Sequence, residues 1–207
     1  MPKHALMGLI MATLTEAKPF INGLALAQKK DTPFPVFFNN KLVLVICGIG
    51  KVNAAVGTAY CCMQFAPSVI INIGAAGATN HTSSLGDIFH ISKIFELDRP
   101  AFPTGAPQMI ITDTLEGFDL AALATQDKPI LLPEERKEIS RLAGLVDMEA
   151  AGVAQACQKF DVKCLIFKFV SDTPEHTEGT AIYSNIKEYR AFSYTFFKEK
   201  ILTLICS

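Results

Sequence analysis

Glu149, Ser171 and Asp172 are the first residues in this 207-residue chain whose type and spacing suggest chemistry. All three lie in the stretch 145–172, LVDMEAAGVAQACQKFDVKCLIFKFVSD. Val153, Ala154, Ala156 and Cys157 recur at about 3.6 residues per turn, which predicts an amphipathic helix with Glu149 at its entrance. The following run, residues 164–170, is almost continuously apolar and reads as a strand buried on both faces, with Ser171 and Asp172 at its carboxyl end. In open α/β sheets the carboxyl ends of strands face the ligand crevice, so carboxylates delivered there can move protons or hold hydroxyl groups. Placement alone leaves a second explanation equally open: Glu149 caps a helix and Asp172 starts a turn.

Two glycine-rich stretches could bring backbone close to a ligand, and plain chain connection or packing would explain either about as well. NIGAAGA, residues 72–78, follows a buried strand; its small residues, Ala75 and Gly77 among them, leave room for a flat ligand to approach backbone N–H donors. Close helix–sheet packing would explain it as well. It holds no G-x-S-x-G, which disfavours serine hydrolase chemistry. GIGKVN, residues 48–53, begins like a dinucleotide fingerprint but has Asn53 at the third glycine position, and it lacks phosphate-loop spacing.

Strands are expected over residues 5–12, 34–38, 42–47, 68–73, 88–95, 109–112, 120–125 and 164–170, with a short extended piece at 144–147. The segments 34–38 and 42–47 should form a hairpin through Asn39-Asn40. Helices are expected over 15–29, 52–65, from Pro133, from Glu149 and over about 185–204; residues 79–84, 96–108 and 173–184 read as loops. Strands alternate with helices without repeats or linkers. The expectation is an α/β fold: a single domain over residues 1–207 with a mixed central β-sheet flanked by helices.

Half of the residues are hydrophobic, 19% are charged and the net charge is -1, so a compact core is expected and a nucleic-acid or membrane-surface partner is not. No apolar run reaches the roughly 18–20 residues of a membrane span, and the apolar N-terminus reads as a first strand, not a signal peptide. The six cysteines form no CxxC pair and the four histidines have no ligand spacing. Buried reduced thiols in a cytoplasmic protein, and no metal, are expected.

In order, GIGKVNAA, VIINIGAAGA, LGDI, VDMEAAGVA and FVSD resemble the motifs of the nucleoside phosphorylase and nucleosidase superfamily. The pattern is most similar to 5'-methylthioadenosine/S-adenosylhomocysteine nucleosidases and futalosine hydrolases, over most of residues 5–95 and 140–205. The resemblance implies cleavage of the N-glycosidic bond of a 5'-modified purine nucleoside to free base and sugar, in a homodimer or larger oligomer without a cofactor. Three catalytic carboxylates are implied: Asp172, oriented by Ser171, at the purine; Glu149, beside Met148, at the ribose hydroxyls; and Glu16 at the attacking water. Ala75, Gly77, Ile130 and Lys168 fall at substrate-binding positions, with the backbone of 127–130 meeting the base edge. Such chemistry needs an acid at the leaving group and a base at the water, and burial would help Asp172 to hold a proton.

Phosphorylases of the superfamily hold phosphate with N-terminal arginines, and this chain has none before Arg99, so hydrolysis is favoured. A purine nucleoside phosphorylase is the runner-up. A non-catalytic nucleoside-binding protein on the same fold is the third reading, motivated by three departures: Ala75 where serine is usual, Lys168 where arginine is usual, and a short 96–133 region. Pro129 also removes one N–H from the base-edge segment.

Overall fold

The computed structural model describes residues 6–206, so the first residue of the expected strand at 5–12 lies outside the described residues. In chain order the elements are β1 (Met7–Met11), α1 (Leu14–Gly23), β2 (Ala27–Lys30), β3 (Val36–Phe38), β4 (Leu42–Ile46), α2 (Lys51–Phe65) and β5 (Val69–Ala78). They continue with β6 (Ile88–Pro100), β7 (Pro107–Ile111), β8 (Leu120–Thr125), α3 (Pro133–Ile139), β9 (Leu145–Asp147), α4 (Ala150–Phe160) and β10 (Lys163–Asp172). A long terminal helix, α5 (Gly179–Phe196), runs through one π-helical turn (Phe197–Ile201) into α6 (Leu202–Cys206).

The described strands form one mixed sheet with helices on both faces. Alternate residues of a strand point to opposite faces, so β1 and β4 feed two cores. Ile10, Val43 and Val45 pack with α2 and α4 through Cys61, Val153 and Cys157. Leu9, Met11, Leu42 and Leu44 pack on the other face with Phe20 of α1 and with Phe197 and Ile201 after α5. This two-sided burial is why the parallel strands read as unbroken apolar runs.

The sheet's centre is the pair β5–β10, parallel from Val69↔Lys163 to Gly77↔Asp172. The other edge of β5 is divided. β1 pairs with Val69–Asn72, and β9 pairs antiparallel with Gly77 and Ala78. Residues 73–76 are unpaired on that edge, and the cavity opens there. Beyond it, β10, β6, β8, β9 and β5 close into a ring of paired strands.

Four expected boundaries move. The helix expected over 15–29 stops at Gly23; Leu24 and Ala25 (φ 49°) turn the chain, and Ala27–Lys30 becomes an edge strand on β3. The strand expected to end at residue 73 continues through the small residues to Ala78, because β10 still pairs with them. Residues 96–100, expected as loop, extend β6 against β7, with Glu96 buried and bonded to Lys51, Arg99 and Gln155. Helix α5 starts at Gly179 instead of 185.

Candidate active site

Thr13 opens α1 with a capping box: Glu16 N–H donates to Thr13 Oγ1 (3.3 Å), while the Glu16 carboxylate accepts from Thr13 N–H (3.1 Å) and Oγ1 (2.6 Å). The Thr13-x-x-Glu16 spacing encodes this directly. The bonds from Thr13 use only Glu16 Oε2; Oε1 crosses to the unpaired edge of β5 and accepts from Ala75 N–H (3.0 Å). The carboxylate is therefore fixed in orientation and buried, with only 5% of the residue exposed.

Gly50 ends the GIG turn at φ 99°, a left-handed conformation that side chains rarely adopt. Its N–H donates to Glu149 Oε1 (2.9 Å). Glu149 occupies the cap position of α4 but makes no side-chain cap bond. Asp147 does that job: its Oδ2 accepts from Ala150 N–H (2.9 Å) and from Lys168 Nζ (2.8 Å), and its Oδ1 from Thr125 (2.6 Å). Capping thus falls to Asp147, which frees Glu149 to face the cavity. Burial pushes the Glu149 carboxyl up to about 7, with Asp147 adding to the effect and Lys168 and the Gly50 N–H opposing it.

Lys168 is fully buried. Burial pulls its ammonium toward neutrality, but Asp147, Glu149 and Glu16 outweigh that, and its pKa lies above the ordinary lysine value. It does not line the cavity. A Cβ built on Gly74 would lie 2.9 Å from Glu16 Oε1 and 3.9 Å from Lys168 Nζ, so lysine and glutamate converge behind the backbone of β5. The sequence placed Lys168 among substrate contacts; the structure makes it a counter-ion behind them, because Asp147 holds its ammonium.

At the other end, the β5–β10 register shifts between Val170 and Asp172. Successive residues of a regular strand face opposite ways, and this irregularity lets both Ser171 and Asp172 line the cavity. Ser171 Oγ donates to Asp172 Oδ1 (2.6 Å), and Arg136 Nη2 donates to Asp172 Oδ2. Arg136, on α3, is 1% exposed; its Nε donates to the Ile130 carbonyl (2.9 Å) and its Nη1 to the Ala78 carbonyl (2.7 Å). Asp172 is therefore half of a buried ion pair. Gly77 makes the space: a Cβ there would come 2.5 Å from Asp172 Oδ2 and 3.1 Å from both terminal nitrogens of Arg136.

Glu16, Ala75, Gly77 and Ile130 line one cavity of about 240 Å³ together with Met148, Glu149, Ser171 and Asp172. Arg136 lines it too, and sequence reasoning missed it. It follows two glutamates in Pro133-Glu134-Glu135-Arg136, and nothing in that run marks it as buried. The available signal was weak: Arg136 shares a helical face with Ile139, which is buried. Among the described residues no cluster of histidine, cysteine or acid could hold a metal ion.

These features define an α/β protein in which α1, the entrance of α4 and the end of β10 each bring a carboxylate to one cavity. A profile of the phosphorylase superfamily matches residues 7–195, and the chain belongs to that superfamily. Among curated proteins, the 5'-methylthioadenosine/S-adenosylhomocysteine nucleosidase of Staphylococcus epidermidis is 32% identical over 158 residues, covering 65% of this chain and 69% of its own. That of Bacillus subtilis is 31% identical over 157 residues, covering 64% and 68%. The fold is similar to the apo 5'-methylthioadenosine nucleosidase of Arabidopsis thaliana (TM-score 0.84, 20% identity, 97% of this chain and 96% of that one). It is equally similar to the futalosine hydrolase of Helicobacter pylori (TM-score 0.83, 20% identity, 97% and 98%).

Proposed function

We propose that the chain is a purine nucleoside N-ribohydrolase. It cleaves the N-glycosidic bond of a 5'-modified nucleoside, of the methylthioadenosine, adenosylhomocysteine or futalosine type, to free base and sugar. One observation carries this reading: Glu16, Glu149 and Asp172 line a single cavity, each held by different partners. Glu16, locked by its capping box, takes the proton of the attacking water. Glu149, beside Met148, accepts hydrogen bonds from ribose hydroxyls. Asp172, held by Ser171 and Arg136, stands at the leaving purine. The nucleosidase names of the curated relatives support the same reaction.

The test is base release from methylthioadenosine, adenosylhomocysteine and futalosine without phosphate; strict dependence on phosphate would replace hydrolysis by phosphorolysis. Against phosphorolysis, the cations at the cavity have partners already: Arg136 holds Asp172, and Lys128 lies 3.6 Å from Glu135. Ala75, which offers only its backbone here, favours the third reading, a binding protein without turnover. Tight nucleoside binding without base release would establish that instead.

The proposed enzyme is a cytoplasmic homodimer. Five described cysteines are buried free thiols, as a reducing compartment allows, and no described helix is long and apolar enough to cross a membrane. Ile49, which lines the cavity, and Val52 and Val56 of α2 stand exposed and suit a contact between copies. Sedimentation analysis reads the dimer directly.

A further inference from the structure

We infer that Arg136 sets the base specificity of the cavity and turns it toward 6-oxopurines. The inference rests on the proposed nucleosidase reading and names the substrate class of that site. A 6-aminopurine brings a hydrogen-bond donor at position 6 and needs an acceptor there. The base end has two good acceptors, the Ile130 carbonyl and the Asp172 carboxylate, and Arg136 donates to both. Nε binds the carbonyl at 2.9 Å and Nη2 binds Asp172 Oδ2, while Ser171 Oγ occupies Oδ1 at 2.6 Å. Each of these acceptor atoms thus already has a donor, and the guanidinium adds N–H donors to a pocket end that would otherwise offer acceptors.

Donors remain to spare. Arginine carries five N–H groups, and the bonds to Ile130, Ala78 and Asp172 use one each on Nε, Nη1 and Nη2. One N–H is left on each terminal nitrogen, and both nitrogens lie over Gly77 in the cavity wall. O6 and N7 of a 6-oxopurine are adjacent acceptors, the pair that an arginine fork also reads on guanine. Set against the same fork, a 6-amino group meets N–H with N–H, and a polar site rejects a mismatched group strongly.

The same placement serves bond cleavage. When the C1'–N9 bond breaks, its electron pair enters the purine ring, and in a 6-oxopurine the charge spreads to N7 and O6 beside the guanidinium. Water adds to C1' as Glu16 takes its proton, and the departing purine regains a proton from solvent. A purely structural Arg136, tying the segment before α3 to the end of β5, would leave base preference unchanged.

The experiment compares kcat/KM for 5'-methylthioinosine and 5'-methylthioadenosine in the wild-type protein, Arg136→Met and Arg136→Lys. It is paired with calorimetric titration of hypoxanthine and adenine into the wild type. The expected wild-type preference is about tenfold or more for the inosine substrate and for hypoxanthine, shrinking at least about tenfold in Arg136→Met. Equal or adenine-side preference in the wild type overturns the inference, as does an unchanged ratio in a folded Arg136→Met. If no nucleoside is cleaved, the nucleosidase reading fails, and the titrations still decide base preference: hypoxanthine tighter sustains the inference, while equal or absent binding ends it. Should Arg136→Met not fold, the wild-type ratios and Arg136→Lys carry the decision.

Discussion

The two ends of the cavity solve opposite electrostatic problems. At the base end one carboxylate, Asp172, meets one guanidinium, Arg136, and the charges cancel. At the sugar end Glu16, Asp147 and Glu149 share one ammonium, Lys168, which binds Asp147 directly and leaves the glutamates with a long-range share of its charge. A matched pair holds both side chains in place. An over-subscribed lysine leaves one group poised near neutrality, and that group is Glu149, pushed up to about 7. In the proposed reaction the base end is a fixed template for the leaving group, and the sugar end holds the groups that change protonation state.

The most damaging change at the sugar end is Glu16→Gln. Removing a positioned general base lowers base release by about 10²–10⁴-fold. Glutamine still serves in a capping box, so the melting temperature should hardly move. A large loss of melting temperature alongside the activity would show that Glu16 matters as a cap and not as a base. Lys168→Met attacks the same end from behind. It strands buried Asp147 without a counter-charge, and losing one partner of a buried pair costs about 3–5 kcal/mol, measurable by denaturant unfolding. An unchanged midpoint would mean that Asp147 is adequately held by Thr125 and Ala150 N–H.

The poise of Glu149 gives activity and stability opposite slopes with pH. In the proposed reaction ribose hydroxyls need its carboxylate as acceptor, so kcat/KM should fall about tenfold per unit below about pH 7 and level off above. For stability the folded state holds the Glu149 proton more tightly than the unfolded chain does. Its contribution is therefore complete below the unfolded value near 4.5 and is lost as pH rises to about 7, on the order of 3 kcal/mol in total. The difference between wild type and Glu149→Gln isolates this slope from other titrations. A wild-type curve parallel to that of Glu149→Gln across this window would remove Glu149 as the poised group and with it the contrast between the two ends.

Much of this arrangement was legible before any coordinates. Apolar runs two-sided in burial marked β4, β5 and β10; the ordered motifs held Glu149 and Asp172, the resemblance they carry added Glu16, and the three line one cavity. What escaped detection depends on relations no local pattern encodes. The divided edge of β5, which frees Ala75 N–H, follows from β1 and β9 sharing that edge, and the irregularity at Ser171 follows from pairing with β5. Arg136 looked like one more charge in Pro133-Glu134-Glu135-Arg136, and only the packing of α3 shows it buried on Asp172. The edge strand β2 was read as helix because Ala27–Lys30 suits either state until β3 supplies its partner.

Thr13→Ala gives the smallest effect and the finest test of how the sugar end is held. Thr13 Oγ1 is the closest partner of Glu16 Oε2, and the hydroxyl also caps α1. Losing the cap costs about 1 kcal/mol, whichever role Glu16 plays. The informative quantity is base release. With Thr13 gone, Glu16 keeps Ala75 N–H and Thr13's backbone N–H, since neither donor depends on the threonine side chain. If those two suffice to aim the carboxylate, kcat stays within a few-fold of wild type; if the hydroxyl fixes its rotamer, kcat falls about tenfold while KM stays put, because only the aim of the base has changed. The expected outcome is the second: Oε2 loses its shorter bond (2.6 Å) and keeps only the longer one from Thr13 N–H (3.1 Å), which leaves the carboxylate freer to swing about Oε1. Thr13→Ser restores the hydroxyl and should restore kcat, and its failure to do so would show that the hydroxyl bond does not aim the carboxylate.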